Sequence, residues 1–217
     1  GAAVTLAARA EGELAEGARA IRAAHGQAEV LALDVTDLAA VKARIAETGP
    51  YDILVNNAGI NRPKPFLEMD EATFDALYDV NVRAAYFVAQ AVAKGMAAAG
   101  RGGVIVNVSS QMGVVGGPNR TVYCGTKHFV HAVTEGARRN MAPHEVRVMV
   151  ISPGVTESEI QKTMNNQNAI DFWRKGKDDM DGGISANDVA RTMLFAYELP
   201  QTVILQEMTI THTRQEY

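Results

Sequence analysis

Short apolar runs alternate along the chain with longer segments in which apolar residues recur at helical spacing. The short runs are nearly continuous in Val, Ile, Leu and Ala, as in strands that are buried on both faces of a parallel sheet. Strands followed by helices predict a doubly wound, mostly parallel α/β sheet with helices on both faces. The predicted strands are residues 2–9, 29–35, 51–59, 102–110, 146–154 and 202–210. The predicted helices are residues 12–26, 37–48, 70–99, 121–140 and 186–198.

Residues 155–185 are the least regular part of this pattern. Their large apolar side chains stand among polar residues, which favours either a substrate lid over a site or a packed surface subdomain. These apolar residues are Met164, Phe172, Trp173 and Met180. The sequence has no internal repeat, low-complexity tract or linker, so we expect one domain over residues 1–217.

The composition makes some partners and compartments unlikely on physical grounds. The chain has a net charge of −4 and a pI of about 5.8, so no nucleic-acid partner is expected. No apolar run is long enough to span a bilayer, so no membrane partner is expected. The single cysteine, Cys124, allows no intrachain disulfide and favours a reducing compartment. Since no signal peptide is recognisable either, we expect a cytoplasmic protein.

Ligands bind at the carboxyl ends of the strands in open α/β sheets, so the residues at those ends are candidates for a site. They are Asp34 after the second predicted strand, NNAG at 56–59, the serine pair at 109–110, and PG at 153–154. Chain turns alone account for the glycines and the proline. They account less well for two adjacent asparagines and two adjacent serines, which favours a polar ligand.

These strand-end residues belong to a longer series of motifs. In order, the chain has LDV at 33–35, NNAG at 56–59, Asn81 within DVNV, Ser110, Y-x-x-x-K at 123–127 and PG at 153–154. With this order and spacing, the chain closely resembles the short-chain dehydrogenase/reductase family over nearly its whole length. The resemblance implies a Rossmann-like fold. It also implies an oxidoreductase that transfers a hydride between a nicotinamide cofactor and a small alcohol or carbonyl substrate.

The resemblance makes Tyr123 and Lys127 the catalytic pair. Side chains at i and i+4 are neighbours on a helix, so Lys127 is expected beside Tyr123. A free tyrosine has a pKa of about 10, and a nearby ammonium favours the phenolate. We therefore expect Lys127 to lower the pKa of Tyr123 and make it a better general acid/base. By resemblance, Lys127 also holds the ribose hydroxyls of the nicotinamide.

Ser110 and Asn81 complete the catalytic set that the resemblance implies. Ser110, thirteen residues before Tyr123, is expected to donate a hydrogen bond to the substrate oxygen, with Ser109 as its rival for this role. Asn81 lies in an otherwise helical, apolar stretch, where asparagine is a mediocre helix former. In the family, an asparagine here interrupts the helix, holds a water and completes a proton relay through the lysine. No metal is expected at this site.

The cofactor contacts of the family fall on the strand ends. By resemblance, Asp34 hydrogen-bonds the adenine amino group, with Val35 beside the ring. The turn of Asn57, Ala58 and Gly59 is expected to pack against the cofactor, because small residues let the backbone approach a ligand closely.

Further contacts are expected after the fifth strand, at Pro153 and Gly154. The family commonly has Val or Ile three residues past this proline and Thr two residues further on, where this chain has Thr156 and Ser158. We expect the contacts to the nicotinamide carboxamide and the pyrophosphate to survive through backbone groups and the Ser158 hydroxyl.

Arg9 decides the expected cofactor. NAD enzymes of the family often have an acidic residue at the end of the strand that corresponds to residues 2–9. Here Ala8 takes that place and Arg9 follows. A guanidinium is planar and always charged, which suits the 2′-phosphate of NADP(H). We therefore favour NADP(H), while NAD(H) stays open because Arg9 could be a solvated strand-end residue.

Family members begin with a strand, a Gly-rich turn and a helix that precede the place where this sequence starts. That turn binds the cofactor pyrophosphate, and that strand is central in the sheet. We therefore expect the working protein to be longer. We also expect the first two predicted strands to have no bonded neighbour on the side that faces the rest of the sheet.

Two alternatives share some of these motifs. Epimerases and dehydratases of the extended branch share the Tyr–Lys pair but are longer and have a separate substrate domain. A non-catalytic dinucleotide-binding sensor or scaffold usually lacks the Tyr or the Lys, and both are present here. By resemblance, we also expect a homodimer or homotetramer.

Overall fold

The computed structural model describes residues 1–216, and Tyr217 lies outside the described residues. The strands are β1 (Ala3–Ala8), β2 (Gln27–Ala32), β3 (Ile53–Asn56), β4 (Gly103–Val108), β5 (Val146–Pro153) and β6 (Glu207–Ile210). The α-helices are α1 (Glu11–Ala23), α2 (Leu38–Thr48), α3 (Glu71–Tyr78), α4 (Ala85–Ala99), α5 (Thr121–Met141), α6 (Gln167–Asp178) and α7 (Ala186–Glu198). Among these described helices, none is long and apolar enough to cross a membrane.

All strand pairs in the described residues are parallel. The order β3–β4–β5–β6 forms one four-stranded sheet, and β1 pairs with β2 in a separate two-stranded sheet. Helices connect successive strands, as parallel pairing requires. This arrangement confirms the doubly wound α/β fold predicted from the sequence.

The two faces of the four-stranded sheet are covered by different helices. On one face, Ile105 and Val148 pack with Val92 and Met96 of α4, and with part of α5. On the other face, Val106 and Met149 belong to the cluster around α7. Since successive strand residues point to opposite faces, the continuous apolar strands supply both clusters.

Strands β1 and β3 each have one edge without a bonded neighbour. In the described residues β1 pairs only with β2, and β3 pairs only with β4. Val55 of β3 is consequently 49% exposed, although it lies in an apolar strand. The unbonded edge of the first two strands agrees with the expectation from the sequence.

The predicted helix at 70–99 is divided into three parts. Helix α3 begins after Asp70, whose side chain accepts a hydrogen bond from Thr73 N at 2.8 Å. A π-helical turn then spans Asp79–Ala84, and α4 follows it. The wide turn holds Asn81, so the interruption that the resemblance implies at this residue is present.

All of the predicted strands are shorter in the structure, and local hydrogen bonds account for two of these differences. The strand predicted at 29–35 stops at Ala32, since the side chain of Asp34 turns the chain by accepting from Thr36 N at 2.9 Å. The strand predicted at 202–210 covers only Glu207–Ile210. The buried Arg147 guanidinium donates a hydrogen bond to the Val203 carbonyl at 3.2 Å. This bond keeps that part of the chain out of the sheet.

Residues 155–185 are more regular than the sequence suggests, because they contain α6 and a short 3₁₀ turn, Ile160–Thr163. Helix α6 begins at Asn166, whose side chain accepts from Ala169 N at 3.2 Å. Met164 and Met180, which lie on either side of α6, are buried. The segment is therefore packed against the rest of the protein.

Candidate active site

Tyr123 and Lys127 lie one turn apart on the buried side of α5. Tyr123 is only 7% exposed and packs with Ile60 and Leu77. The Lys127 Nζ donates to the Val108 carbonyl at 3.0 Å and lies 5.9 Å from the centroid of the Tyr123 ring. The four-residue spacing thus places the phenol and the ammonium together at the carboxyl end of β4.

Ser110, not Ser109, meets the phenol. The Ser110 hydroxyl lies close enough to the Tyr123 phenol to lower its pKa. The Ser110 hydroxyl also accepts from Met112 N at 3.2 Å and begins a short 3₁₀ turn. The Ser109 hydroxyl is buried and donates to the Lys127 carbonyl at 3.0 Å. Ser109 therefore anchors α5 to the sheet, which leaves Ser110 as the serine that could hold a substrate oxygen.

Asn81 links the third strand end to α5. Its amide exchanges two hydrogen bonds of 2.9 Å with the backbone of Ile60 and donates to the Thr126 hydroxyl at 3.2 Å. A Cβ on Gly59 would lie 3.4 Å from Asn81 Oδ1 and 3.5 Å from Lys127 Nζ. The Asn81 amide and the Lys127 ammonium therefore both lie next to Gly59.

Burial, and not the ammonium, dominates the acidity of the two central groups. Burial raises the pKa of Tyr123 above its ordinary value, and the nearby Ser110 hydroxyl and the charge of Arg120 oppose this only in part. We expected Lys127 to lower the pKa of Tyr123. In the protein without a cofactor, the pKa is instead raised. Burial also lowers the pKa of Lys127 from 10.5 to about 8, because its charged form is poorly solvated.

The two residues expected at the adenosine end lie close enough to influence each other. The pKa of Asp34 is lowered mainly by hydrogen bonds from the Thr36 backbone and hydroxyl, and also by the charge of Arg9. Asp34 and Arg9 are both exposed, while Val35 is half-buried. Asn57 and Ala58 are likewise exposed after β3, so their backbone is open to a ligand.

The residues expected around the fifth strand end are partly engaged with the chain itself. Pro153 ends β5, and Gly154 N donates to the Ile210 carbonyl at 2.8 Å. The Thr156 hydroxyl donates to the Gly154 carbonyl at 3.0 Å. Ser158 is half-buried, and its hydroxyl has no hydrogen-bond partner among the described residues, so it is available to a ligand.

A cleft of about 410 Å³ opens beside the Asp34 turn and not against the phenol of Tyr123. It is lined by Thr36, Asp37, Leu38, Asp79, Arg83 and Ala84. The first three follow Asp34, and the last three belong to the π-helical turn of Asn81. The cleft therefore lies next to the residues expected at the adenosine end. The described residues contain no group of three His, Cys, Asp or Glu side chains that could hold a metal ion.

Segment 155–185 lies over this side of the sheet. The Thr163 hydroxyl accepts from Asn61 N at 2.9 Å, and the Phe172 ring lies 5.7 Å from the Arg120 guanidinium. Asn61 follows the turn that binds Asn81, and Arg120 directly precedes α5. The segment thus contacts the chain next to the third strand end and the residue that precedes α5.

The structure has two polar features near the site that were not predicted from the sequence. One is a buried polar chain in which Asn56 donates to Asn107 at 3.0 Å and Asn107 donates to Thr134 at 3.0 Å. An asparagine in the middle of the apolar strand VIVNV is the signal that could have revealed it. The other is Gln215, near the carboxyl end, which no motif indicates.

Gly113 is required by close packing below Ser110, which gives a first prediction. A Cβ at this position would lie 2.5 Å from Ser109 Oγ and 2.9 Å from the Lys127 carbonyl oxygen. We expect Gly113→Ala to lower the free energy of unfolding by about 1–3 kcal/mol and to reduce turnover by displacing the Ser110 turn. Gly116→Ala is the matched control in the same loop, because its Cβ would meet nothing within 4 Å. Equal thermal unfolding of the two variants would contradict this packing argument.

Comparison with known proteins identifies the family of the chain. A family model described as short chain dehydrogenase matches residues 1–169. Sorbitol dehydrogenase of Cereibacter sphaeroides is 42% identical over 149 residues, which cover 66% of this chain and 58% of that protein. L-xylulose reductase of Mesocricetus auratus is 38% identical over 135 residues, which cover 62% of this chain and 55% of that protein. The chain thus spans a little over half the length of these curated relatives.

A solved structure extends the similarity over the whole fold. The gluconate 5-dehydrogenase from Burkholderia cenocepacia J2315, in complex with NADP and tartrate, superposes with a TM-score of 0.82 at 29% identity. The alignment covers 97% of this chain and 84% of that one. Since the family model also matches well over half of the residues, the chain belongs to the short-chain dehydrogenase family.

Proposed function

We propose that the protein is an NADP(H)-dependent oxidoreductase that transfers a hydride between nicotinamide and a small alcohol or carbonyl substrate. The observation that carries the proposal is the convergence of Ser110, Tyr123, Lys127 and Asn81 around the carboxyl ends of β3 and β4. The Ser110 hydroxyl is close enough to the Tyr123 phenol to influence its pKa, and the ammonium lies 5.9 Å from the phenol ring centroid. Hydroxyl donors next to a buried cation suit an oxygen on which negative charge develops.

The residues present fit a nicotinamide dinucleotide. Lys127 has three N–H donors, and only the one to the Val108 carbonyl has an acceptor among the described residues. The remaining donors can hold the ribose hydroxyls. Asp34 with Val35 would hold the adenine, and the turn of Asn57, Ala58 and Gly59 would lie along the cofactor. Pro153, Gly154, Thr156 and Ser158 would hold its nicotinamide and pyrophosphate parts. When bound, the nicotinamide supplies or accepts the hydride.

Tyr123 holds the proton that accompanies the hydride. Because burial raises the pKa of Tyr123, the phenol keeps its proton at neutral pH. In the reducing direction, its hydroxyl donates that proton to the substrate oxygen as the hydride adds to the carbon, and a tyrosinate remains. The Lys127 ammonium stabilises this tyrosinate and can return a proton to it, since its own pKa is about 8. Oxidation of an alcohol follows the same steps in reverse.

A polyol or ketose is the substrate class that the relatives favour. The names of the sorbitol dehydrogenase, L-xylulose reductase and gluconate 5-dehydrogenase all refer to polyhydroxy compounds. The Ser110 hydroxyl and the Lys127 ammonium beside the phenol can hydrogen-bond to such compounds. The proposal is tested by following NADPH oxidation in the full-length protein with a panel of small ketoses and simple ketones.

The same proposal includes the organisation of the protein. We propose a single domain over residues 1–217 in which segment 155–185 acts as the substrate lid, and a cytoplasmic homodimer or homotetramer. Large apolar side chains that are exposed on two helices support association between copies. They include Tyr86 of α4 with Leu194 and Phe195 of α7.

The NADP(H) preference gives a second prediction, centred on Arg9. Its exposed guanidinium follows β1 and acts on Asp34 at the end where the adenosine ribose would lie. We expect Arg9→Asp to raise the KM for NADPH at least tenfold and to lower the KM for NADH, because the carboxylate repels a 2′-phosphate and accepts from a 2′-hydroxyl. The KM values of both cofactors measure the effect, with Arg19→Asp on the exposed side of α1 as a control. An unchanged ratio of the two KM values would remove Arg9 from the cofactor assignment.

A further inference from the structure

The chain just after β6 folds back onto the candidate active site. The side chain of Gln215 lies between two of the strand-end turns that form it. Its Oε1 accepts from Val155 N at 2.9 Å, directly after Pro153–Gly154. Its Nε2 donates to Oε1 of Gln111, the residue that follows Ser110. Gln215 therefore joins the turn after β5 to the turn that carries the catalytic serine.

Other contacts hold this part of the chain in place. A Cβ on Gly154 would overlap the Gln215 side chain, so the glycine makes room for it. The neighbouring Arg214 forms an ion pair with Asp181, at the far end of segment 155–185. Gln215 N donates to the His212 carbonyl at 2.9 Å, which gives the segment a local turn. The position of Gln215 is thus set by several independent contacts.

The hydrogen bonds fix which way each amide faces. The two ends of a Gln amide have nearly the same shape, so its orientation follows from its partners. A backbone N–H can only donate, so Val155 requires the oxygen of Gln215 on its side. The nitrogen of Gln215 must then face Gln111, which can accept only with its own oxygen. The NH₂ group of Gln111 is left without a partner among the described residues, and it is not one of the buried unpaired atoms.

We propose that Gln111 determines specificity by donating a hydrogen bond to the substrate. Gln215 is the positioning residue, because it binds the oxygen of Gln111 and so directs the NH₂ group toward the substrate. Gln111 would donate to an oxygen on the carbon next to the reacting carbonyl, because adjacent residues are about 3.8 Å apart and Ser110 holds the carbonyl oxygen. The substrate class is therefore a ketone with a hydrogen-bond acceptor at its α-carbon, as in a ketose. This inference rests on the proposed function and adds the group that the site recognises.

A single substitution can reverse the polarity of Gln111. In Gln215→Glu, one carboxylate oxygen still accepts from Val155 N, but the other can no longer donate to Gln111. The amide of Gln111 then turns so that its NH₂ group binds the new carboxylate and its oxygen faces the substrate. The variant keeps the shape of the site and changes a donor into an acceptor.

Three ketones separate the two polarities. Methoxyacetone has an ether oxygen at the α-carbon that can only accept, 2-pentanone has a methylene there, and the hydroxyl of hydroxyacetone can both donate and accept. In the full-length protein with NADPH, the ratio of kcat/KM for methoxyacetone to that for 2-pentanone is expected to fall at least fivefold in Gln215→Glu, since an acceptor would face an acceptor. The ratio of hydroxyacetone to 2-pentanone is expected to change less than about twofold, because its hydroxyl can donate to the turned amide.

Controls distinguish this role from a structural one. Gln206→Glu adds the same charge at an exposed position and should leave both ratios unchanged. If Gln215→Glu does not fold, Gln111→Leu removes the donor directly and should lower the methoxyacetone ratio to a similar extent. An equal fall for all three ketones, or a wild-type enzyme that does not prefer methoxyacetone to 2-pentanone, would overturn the inference. If the wild type reduces none of the three ketones and no ketose with either cofactor, the proposed function itself fails.

Discussion

Tyr123→Phe is expected to lower kcat/KM for carbonyl reduction by about 10³-fold while the protein still binds NADPH. The substitution removes only the hydroxyl that lies near Ser110 and that would give its proton to the substrate oxygen. General acid/base groups contribute about 10²–10⁴-fold, and the phenyl ring keeps the packing with Ile60 and Leu77. The measurement is the initial rate of NADPH oxidation, combined with a fluorescence titration of NADPH binding.

Tyr197→Phe is the matched control for this variant. Tyr197 is partly exposed on α7, and its hydroxyl has no hydrogen bond among the described residues, so its loss should leave the rate within about twofold. Retained turnover in Tyr123→Phe would move the account toward a sensor or scaffold that binds a dinucleotide. Loss of both turnover and NADPH binding would show that the phenol is needed for binding, and the acid/base assignment would then rest on other evidence.

Lys127→Met is expected to abolish turnover without destabilising the cofactor-free protein at pH 7. Burial lowers the pKa of Lys127 to about 8, which corresponds to about 3 kcal/mol of unfavourable free energy for the charged form in the folded state. Methionine has a similar length and no charge, but it cannot donate to the Val108 carbonyl, which offsets about 1 kcal/mol of the gain. The expected change is therefore an increase of about 1–2 kcal/mol in the free energy of unfolding.

The sign of the pH dependence tests this cause. Lys127 has a lower pKa in the folded than in the unfolded state, so the full penalty is present below pH 8, where both states carry the charge. As the pH rises from about 8 toward 10.5, the folded group loses its proton first and the wild type gains stability. The advantage of Lys127→Met should therefore shrink over this range in denaturant titrations at several pH values. The exposed Lys94→Met should show no such trend. A variant that is less stable than the wild type at pH 7 would contradict the desolvation argument.

The fold could be predicted because its signals are local and repeated. Continuous apolar strands such as VRVMVIS require burial on both faces, and the sequence from 121 onward gives α5 almost to the residue. The unbonded edge of β1 follows from the spacing of motifs in a family whose sheet order is known. Element ends were less predictable, since single side chains set the end of β2, where Asp34 accepts a hydrogen bond, and the beginning of β6, where Arg147 donates one.

The candidate site could be predicted for those residues that belong to a sequence motif. The structure brings Ser110, Tyr123, Lys127 and Asn81 together, and the sequence pattern names all four. The sign of the Tyr123 pKa shift was not predictable, because the depth of burial depends on Ile60, Leu77 and other residues far apart in sequence. Gln215 was not predictable either. It reaches Gln111 across 104 positions of sequence, and no periodicity or motif marks such a contact.

The most direct test of the central claim is to follow the hydride itself. The full-length protein is incubated with NADPH that carries deuterium at both C4 positions and with a ketose that the wild type reduces, and the product is analysed by mass spectrometry and NMR. The account predicts one deuterium on the new carbinol carbon with the wild type, and almost no product with Tyr123→Phe. Oxidation of NADPH with no deuterium in the product, or a folded protein that binds neither NADPH nor NADH, would contradict it.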